Sequence, residues 1–307
     1  MEKKITVYGT GKSAEMFVDE MPSNYKIISF LESNPEKKSV KGLPVKKFPA
    51  EEIFECDFIV IASMFYPEIL DNLIKANFPI SKIKIATSHK DDPRYGVLMI
   101  DPQDVAKDIH KYKVFNEEIA KIEELVSTFE PKLFVDRLEH LKYCFSQAIV
   151  SGNILEFGVY RGESLLYLSS LTENPVWGFD SFQGGLEDSP WSLRKNESLP
   201  ISISQNLKDY KYLEVGFFHE TLPKWIERQG LSGISFIHYD AGDYEATCFV
   251  LENLGPLLQK GSIIVFDEFI PSPTELIASE YEAFVLHCKV DYEIITRSGS
   301  SVGIRII

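Results

Sequence analysis

The sequence predicts an α/β protein made of two parallel-sheet units in tandem. Two blocks of alternating strand and helix signals, separated by a purely helical stretch, point to this arrangement. The second block also closes on two strands, Tyr292–Thr296 and Val302–Ile307. Only about five residues lie between them, too few for a crossover helix, so they must pair antiparallel.

In the first block, Lys4–Tyr8 is a short β-rich run followed by Gly9-Thr10-Gly11 and a helical stretch, Ser13 to Met21. Lys26–Leu31 is the next strand and Gly42–Val45 a turn with a short extended piece. Asp57–Ala62 is almost continuously apolar, as expected of a strand buried on both faces. A helix near Pro67–Asn77 precedes the strand Lys82–Ala86. These elements define a small Rossmann-like unit over residues 1–100.

Residues 101–150 read as a helical connector and cap. Val135, Leu138, Leu141, Phe145 and Ile149 recur in three- and four-residue steps, which predicts one apolar helix face. Residues 151–307 form the second unit, with further strands at Asn153–Phe157, Val176–Phe179, Tyr212–Phe217, Ile234–Tyr239 and Gly261–Phe266. Helices fit Glu163–Leu171, Leu222–Arg228, Tyr244–Leu258 and Pro273–Cys288. A doubly wound sheet ending in an adjacent antiparallel pair is the methyltransferase variant of the Rossmann plan.

At 307 residues, the chain is long enough for two such units, and its 44% hydrophobic and 25% charged content is that of a globular protein. The formal net charge of −14 argues against nucleic acid or an anionic membrane as partner, because phosphates would be repelled. Cys56, Cys144, Cys248 and Cys288 are widely spaced among apolar neighbours and read as buried, reduced thiols. The first apolar run is too short for a signal peptide, and no stretch reaches the length of a membrane span. A cytoplasmic location is the expectation, and self-association stays open.

Three constellations carry chemistry. The first is Glu156-Phe157-Gly158-Val159-Tyr160-Arg161-Gly162-Glu163-Ser164, at a strand-to-helix turn. Gly158 permits close backbone approach, while Gly162 and Ser164 open a helix whose first N–H groups point outward. Glu156 suits the cationic amino group of an amino-acid moiety and would repel a pyrophosphate. A tight turn without a ligand would use the same glycines. In the second, Asp180-Ser181-Phe182 follows the next strand, and Asp180 lies 22 residues beyond Gly158. An acid there can accept hydrogen bonds from both ribose hydroxyls, although a helix cap is the commoner use. The third is the set of acids at two strand ends, Asp240 and Asp267-Glu268. Parallel strands open these on one edge, where three carboxylates require a neutralising cation, and oxygen ligands favour Mg²⁺. Capping of helices is the alternative use.

Five motifs in order resemble the macrocin O-methyltransferase (TylF-like) family, whose members methylate sugar hydroxyls of macrolide and aminocoumarin antibiotics. They are Glu156–Gly162, Asp180–Gly184, Gly216–Pro223, Asp240–Thr247 and Gly261–Phe269, and the resemblance covers roughly Val135 to Ile307. It implies a class I methyltransferase fold, S-adenosylmethionine as donor, a magnesium-dependent mechanism and a sugar-containing small-molecule acceptor. The family's D-x-D-x-Y motif becomes Asp240-Ala241-Gly242-Asp243-Tyr244 here, so the acid implicated as general base is replaced by Gly242. Family members also tend to carry Asp where Glu268 stands. Asp240, Asp243, His238 and His219 remain candidate bases, the histidines because an imidazole titrates near neutral pH. A packed or solvated histidine is the plainer reading of each. The polar stretch Gly184–Ile203, with Trp191, has the length of a lid or substrate loop.

In the first unit, Gly9-Thr10-Gly11, Phe30–Pro35 with Glu32, Gly42–Val45 and Ile61-Ala62 resemble the small Rossmann-like domain of sugar O- and N-acyltransferases. The resemblance implies recruitment of a nucleotide sugar; a structural or dimerising module fits equally. Two rival functions stand beside methyl transfer. One is a methyltransferase-like binding or scaffold protein that Gly242 has left inactive. The other is an NAD(P)-dependent sugar-modifying enzyme, for which no Tyr-x-x-x-Lys pair accompanies the glycine turn.

Overall fold

The computed structural model describes residues 3–21, 25–49, 55–63, 65–88, 97–183, 207–230, 232–242, 244–271 and 280–307. The lid segment Gly184–Ile203 with Trp191, and the candidate base Asp243, lie outside the described residues. The chain divides into two compact units at Glu118/Ile119.

The first unit contains β1 (Lys3–Tyr8), α1 (Lys12–Glu20), β2 (Tyr25–Glu32), β3 (Ser39–Val40), β4 (Leu43–Lys47), β5 (Phe58–Ile61), α2 (Tyr66–Lys75), β6 (Ile83–Ser88) and β7 (Val97–Ile100). Its sheet runs β3-β4-β2-β1-β5-β6-β7. The five inner strands are parallel, and the two edge strands are antiparallel. The sequence reading missed β3 and β7, which are short and at the edges. The long helix α3 (Pro102–Thr128) contributes Val105 to the first unit's core and Ile122 and Val126 to the second's.

The second unit contains β8 (Lys132–Leu133), α4 (Arg137–Ser146), β9 (Asn153–Phe157), α5 (Glu163–Ser170), β10 (Val176–Asp180), β11 (Leu213–Val215) and α6 (Phe218–Gln229). It continues with β12 (Ile234–Tyr239), α7 (Tyr244–Leu254), β13 (Leu258–Phe266), α8 (Glu280–His287), β14 (Tyr292–Ser298) and β15 (Ser301–Ile306). The sheet order is β11-β10-β9-β12-β13-β15-β14-β8. The first five strands are parallel, and β15 is antiparallel to both β13 and β14. This is the class I methyltransferase order, with the predicted closing pair.

Strand alternation sorts this unit into two layers. Leu155, Phe157, Ile237, Tyr239, Ile264 and Phe266 face one core with α6, α7 and α8. Ile154, Phe236, Ile263 and Val265 face the other, with Leu141 and Cys144 of α4 and Leu165 and Leu168 of α5. Counting on by twos puts Glu156, His238, Asp240 and Asp267 on the α4–α5 side. That placement decides what can reach the acids.

The predicted apolar stripe through α4 is corrected. The helix begins only after the Asp136 cap and ends at Ser146, so Val135 and Ile149 lie outside it and are exposed, as is Leu138. The buried face is His140, Leu141 and Cys144, and it is partly polar. His140 Nε2 lies 2.8 Å from Thr296 Oγ1, and Cys144 Sγ lies 3.0 Å from the same hydroxyl. Cys56, Cys144 and Cys288 are buried, Cys248 is half-buried, and all are free thiols. Among the described residues, no helix is long and apolar enough to cross a membrane.

Candidate active site

The turn after β9 is shaped by close backbone contact. Gly158 has φ +83°, and a Cβ there would lie 1.9 Å from the carbonyl oxygen of Asp240, so no other residue fits. The same contact sets the glycine turn against the acid edge of β12. Gly162, at φ +82°, is the N-cap of α5 and supplies no side-chain cap, which leaves the helix's first N–H groups for a ligand.

Asp180, at the end of β10, braces this turn. Its Oδ2 accepts from the N–H groups of Val159 and Tyr160, both at 2.8 Å, and its Oδ1 from Phe182 N–H at 2.7 Å. A carboxylate accepts roughly four hydrogen bonds. The cap and the ribose-acceptor uses therefore compete for one side chain. Tyr160 and Phe182 hold φ of +50° and +52°, strained values for non-glycine residues, on either side of that carboxylate. Arg161 stacks over the Tyr160 ring at 5.2 Å, and Ser181 Oγ accepts from Gln183 N–H.

Glu156, expected to face the amino group of the donor, is turned into the fold. It is fully buried; Ser164 donates to its Oε1 at 3.0 Å, and His238 Nδ1 lies 3.0 Å from its Oε2. The reason is alternation: Glu156 and His238 sit opposite each other on adjacent strands and turn inward beneath the acids. Burial raises the Glu156 pKa. For His238, burial works the other way, but Glu156, Asp240 and Asp267 outweigh it and raise that pKa too. Both side chains are enclosed in the fold and bonded to each other. The candidate base His238 is therefore found packed beneath the strand tips, as the plainer reading of it expects. His219 is exposed in the first turn of α6, its ring stacked on Phe217 at 5.8 Å and edge-on to Phe249.

At the edge, Asp240 and Asp267 are both bound by Arg137, the first residue of α4. Arg137 Nη2 donates to Asp240 Oδ2, and Arg137 Nε lies 3.1 Å from Asp267 Oδ1. Burial pushes the Asp267 pKa up, and the Asp240 charge adds to this; Arg137 pulls against both, leaving it at about 6. For Arg137, burial disfavours the charge, but the two aspartates outweigh it and hold the guanidinium protonated. Glu268 is exposed, with its Oε2 3.4 Å from the point a Cβ on Gly242 would occupy. Its N–H donates at 3.0 Å to Glu280 Oε2, a carboxyl whose own pKa burial raises far above the usual range.

The expected Mg²⁺ ligands Asp240, Asp267 and Glu268 do not fit an ion in this arrangement. Two of the three direct oxygens at a guanidinium, and among the described residues no three His, Cys, Asp or Glu side chains are grouped to hold a metal. Arg137 and Glu280 escaped the sequence reading. A signal existed for Arg137: Asp136 followed three residues later by Glu139 has capping-box spacing, and the Asp136 side chain does accept from Glu139 N–H at 2.8 Å.

The first unit repeats the glycine turn. Gly9 has φ +124°, and a Cβ there would lie 2.4 Å from the Ala62 carbonyl oxygen. Thr10 Oγ1 donates to Glu32 Oε1 at 2.7 Å, and Lys37 Nζ to the Thr10 carbonyl at 3.3 Å.

Sheet order, glycine turn and strand-end acids together define a class I methyltransferase unit. In agreement, a family described as "Methyltransferase domain" matches residues 155–269, and one described as "C2185-like, N-terminal" matches residues 1–85. The second unit is an S-adenosylmethionine-dependent methyltransferase domain. Among curated proteins, the chain is similar to demethyldecarbamoylnovobiocin O-methyltransferase of Streptomyces niveus, 25% identical over 206 residues, covering 58% of this chain and 77% of the relative. It is also similar to 8-demethyl-8-(2,3-dimethoxy-alpha-L-rhamnosyl)-tetracenomycin-C 4'-O-methyltransferase of Streptomyces olivaceus, 29% identical over 160 residues, covering 43% of this chain and 60% of that relative. A crystal structure of CalS11, a calicheamicin methyltransferase, is 23% identical with a TM-score of 0.47, covering 71% of this chain and 98% of that one.

Proposed function

We propose that this protein is an O-methyltransferase that moves the methyl group of S-adenosylmethionine to a hydroxyl of a sugar-containing small molecule, as a member of the macrocin O-methyltransferase type. The observation that carries the reading is the Gly158–Asp240 contact, which sets a donor-type turn beside carboxylates. The relatives' names, both of O-methyltransferases and one naming a rhamnosyl group, support the acceptor class.

The donor, when bound, supplies a methyl group already activated on a sulfonium, so the protein's task is alignment and removal of a proton. Gly158 and Gly162 let the turn close on Asp240 and Leu207, the first N–H groups of α5 suit the donor's carboxylate, and Asp180 stiffens the turn and offers its remaining acceptor capacity to a ribose. Glu156 and His238 brace the floor. The Asp240–Asp267 pair, bridged by Arg137, orients the acceptor hydroxyl and receives its proton as the oxygen attacks. Magnesium assistance, implied by the family resemblance, is not part of this reading, because Arg137 holds the two aspartates. The first unit's glycine turn, with Thr10 and Glu32, is assigned by itself to binding a nucleotide sugar.

Incubation with labelled donor and a panel of nucleotide sugars and glycosides tests the reading. A mass gain of one methyl on a sugar oxygen is expected. Tight donor binding with no transfer to any member would favour the binding-protein alternative instead.

A further inference from the structure

Two carboxylates at neighbouring strand tips repel each other unless a cation lies between them. In this molecule that cation belongs to the chain. One planar guanidinium reaches both acids, through Nη2 to Asp240 and through Nε to Asp267 at 3.1 Å. The backbone that carries it is placed by contacts other than the acids. Asp136 caps α4 and fixes the helix start, and alternation along β12 and β13 turns Asp240 and Asp267 toward the α4 side.

We propose that Arg137 occupies the place of a divalent cation between Asp240 and Asp267, so that methyl transfer at this edge proceeds without a bound metal. The proposal rests on the methyltransferase reading and deepens it. A divalent ion would need several oxygens from the same acids. Asp240 and Asp267 already direct an oxygen each at Arg137, and Glu268 lies over Gly242, braced by Glu280. An incoming ion would also meet the charge of a guanidinium that cannot deprotonate. Arg137 can do the electrostatic work expected of a metal. Its charge offsets that of both carboxylates, and with half of its side chain exposed it retains donors for the developing acceptor oxyanion.

The test is Mn²⁺ titration of the full-length protein followed by electron paramagnetic resonance, alongside calorimetry with S-adenosylhomocysteine and methyl transfer before and after chelation. Wild-type protein is expected to take up no stoichiometric Mn²⁺ and to keep its full transfer rate after chelation. Arg137→Met is expected to lower kcat by about a hundredfold while S-adenosylhomocysteine affinity stays within about twofold, a split that general unfolding would not produce. Arg137→Lys, which keeps the charge but not the fork, should fall between the two. One Mn²⁺ per wild-type chain, abolished by Asp240→Asn, would overturn the proposal, as would an unchanged rate in Arg137→Met. Should the protein transfer no methyl at all, the methyltransferase reading fails, and the Mn²⁺ titration still decides the placement of the cation.

Discussion

The two units contain the same turn with different surroundings. After β1 and after β9 a glycine at positive φ lets the backbone close on a neighbouring strand's carbonyl, that of Ala62 in one unit and of Asp240 in the other. An acid at the next strand tip then steadies the turn, Glu32 through the Thr10 hydroxyl and Asp180 through two backbone N–H groups, those of Val159 and Tyr160. The neighbour behind the glycine differs. Behind Gly9 stands Ala62, and behind Gly158 stands an aspartate tied through Arg137 to a second aspartate. The backbone plan makes the glycine turn twice; the carboxylate pair beside the second sets the two apart.

The largest effect that would sharpen this comparison comes from the glycines. Gly158→Ala would drive a methyl group into a backbone carbonyl and should destabilise the second unit by roughly 3 kcal/mol or more, abolishing donor binding. Gly9→Ala should destabilise the first unit comparably yet leave donor affinity measured by calorimetry intact. Loss of donor binding in Gly9→Ala would break the assignment of the donor to the second unit.

Acid should separate the units next. Burial, helped by the nearby His238 charge, lowers the His140 pKa to about 4. A histidine lowered in the fold contributes stability above its unfolded value near 6.5, and that contribution is lost as pH falls toward 4. It amounts to about 3 kcal/mol. All three tryptophans, Trp177, Trp191 and Trp225, belong to the second unit's sequence, so their fluorescence reports its unfolding. Denaturant midpoints should fall over this pH range, and His140→Gln should flatten the fall; an equally steep fall in that variant would count against the assignment.

Smaller effects follow at the strand-tip acids and the helix cap. Asp180→Ala should weaken S-adenosylhomocysteine binding at least about tenfold, roughly 1.4 kcal/mol, whereas Glu32→Ala should leave it unchanged. Equal losses in both would erase the distinction between the turns. Asp136→Ala should lower stability by about 1 kcal/mol in thermal melts and, by loosening the start of α4 under Arg137, lower kcat more than it raises KM.

Much of the arrangement was legible in the sequence where it depends on local pattern. Asn153–Phe157 and Ile234–Tyr239 were read with the boundaries they have, because β9 and β12 are short, apolar and closed by turn residues. Gly158, Asp180 and Asp240 were legible because a strand tip is a local feature. What stayed hidden depends on contacts distant in sequence. Arg137 meets Asp240 across 103 positions, and no periodicity announces such a pair. Glu156 was read from its charge and its place before the glycine turn, and its bond to His238, 82 positions away, has no local signal. The stripe through α4 failed because its inner face carries His140 and Cys144 around Thr296, and a polar pocket leaves no apolar signature.

A crystal structure with S-adenosylhomocysteine tests the central claim most directly, because its sulfur atom marks where the transferred methyl would leave. Density for that sulfur at the C-terminal edge of β9 and β12, between the Gly158 turn and the Asp240–Asp267 pair, is the predicted result. Density at the Gly9 turn, or on the opposite end of the second sheet, would contradict it.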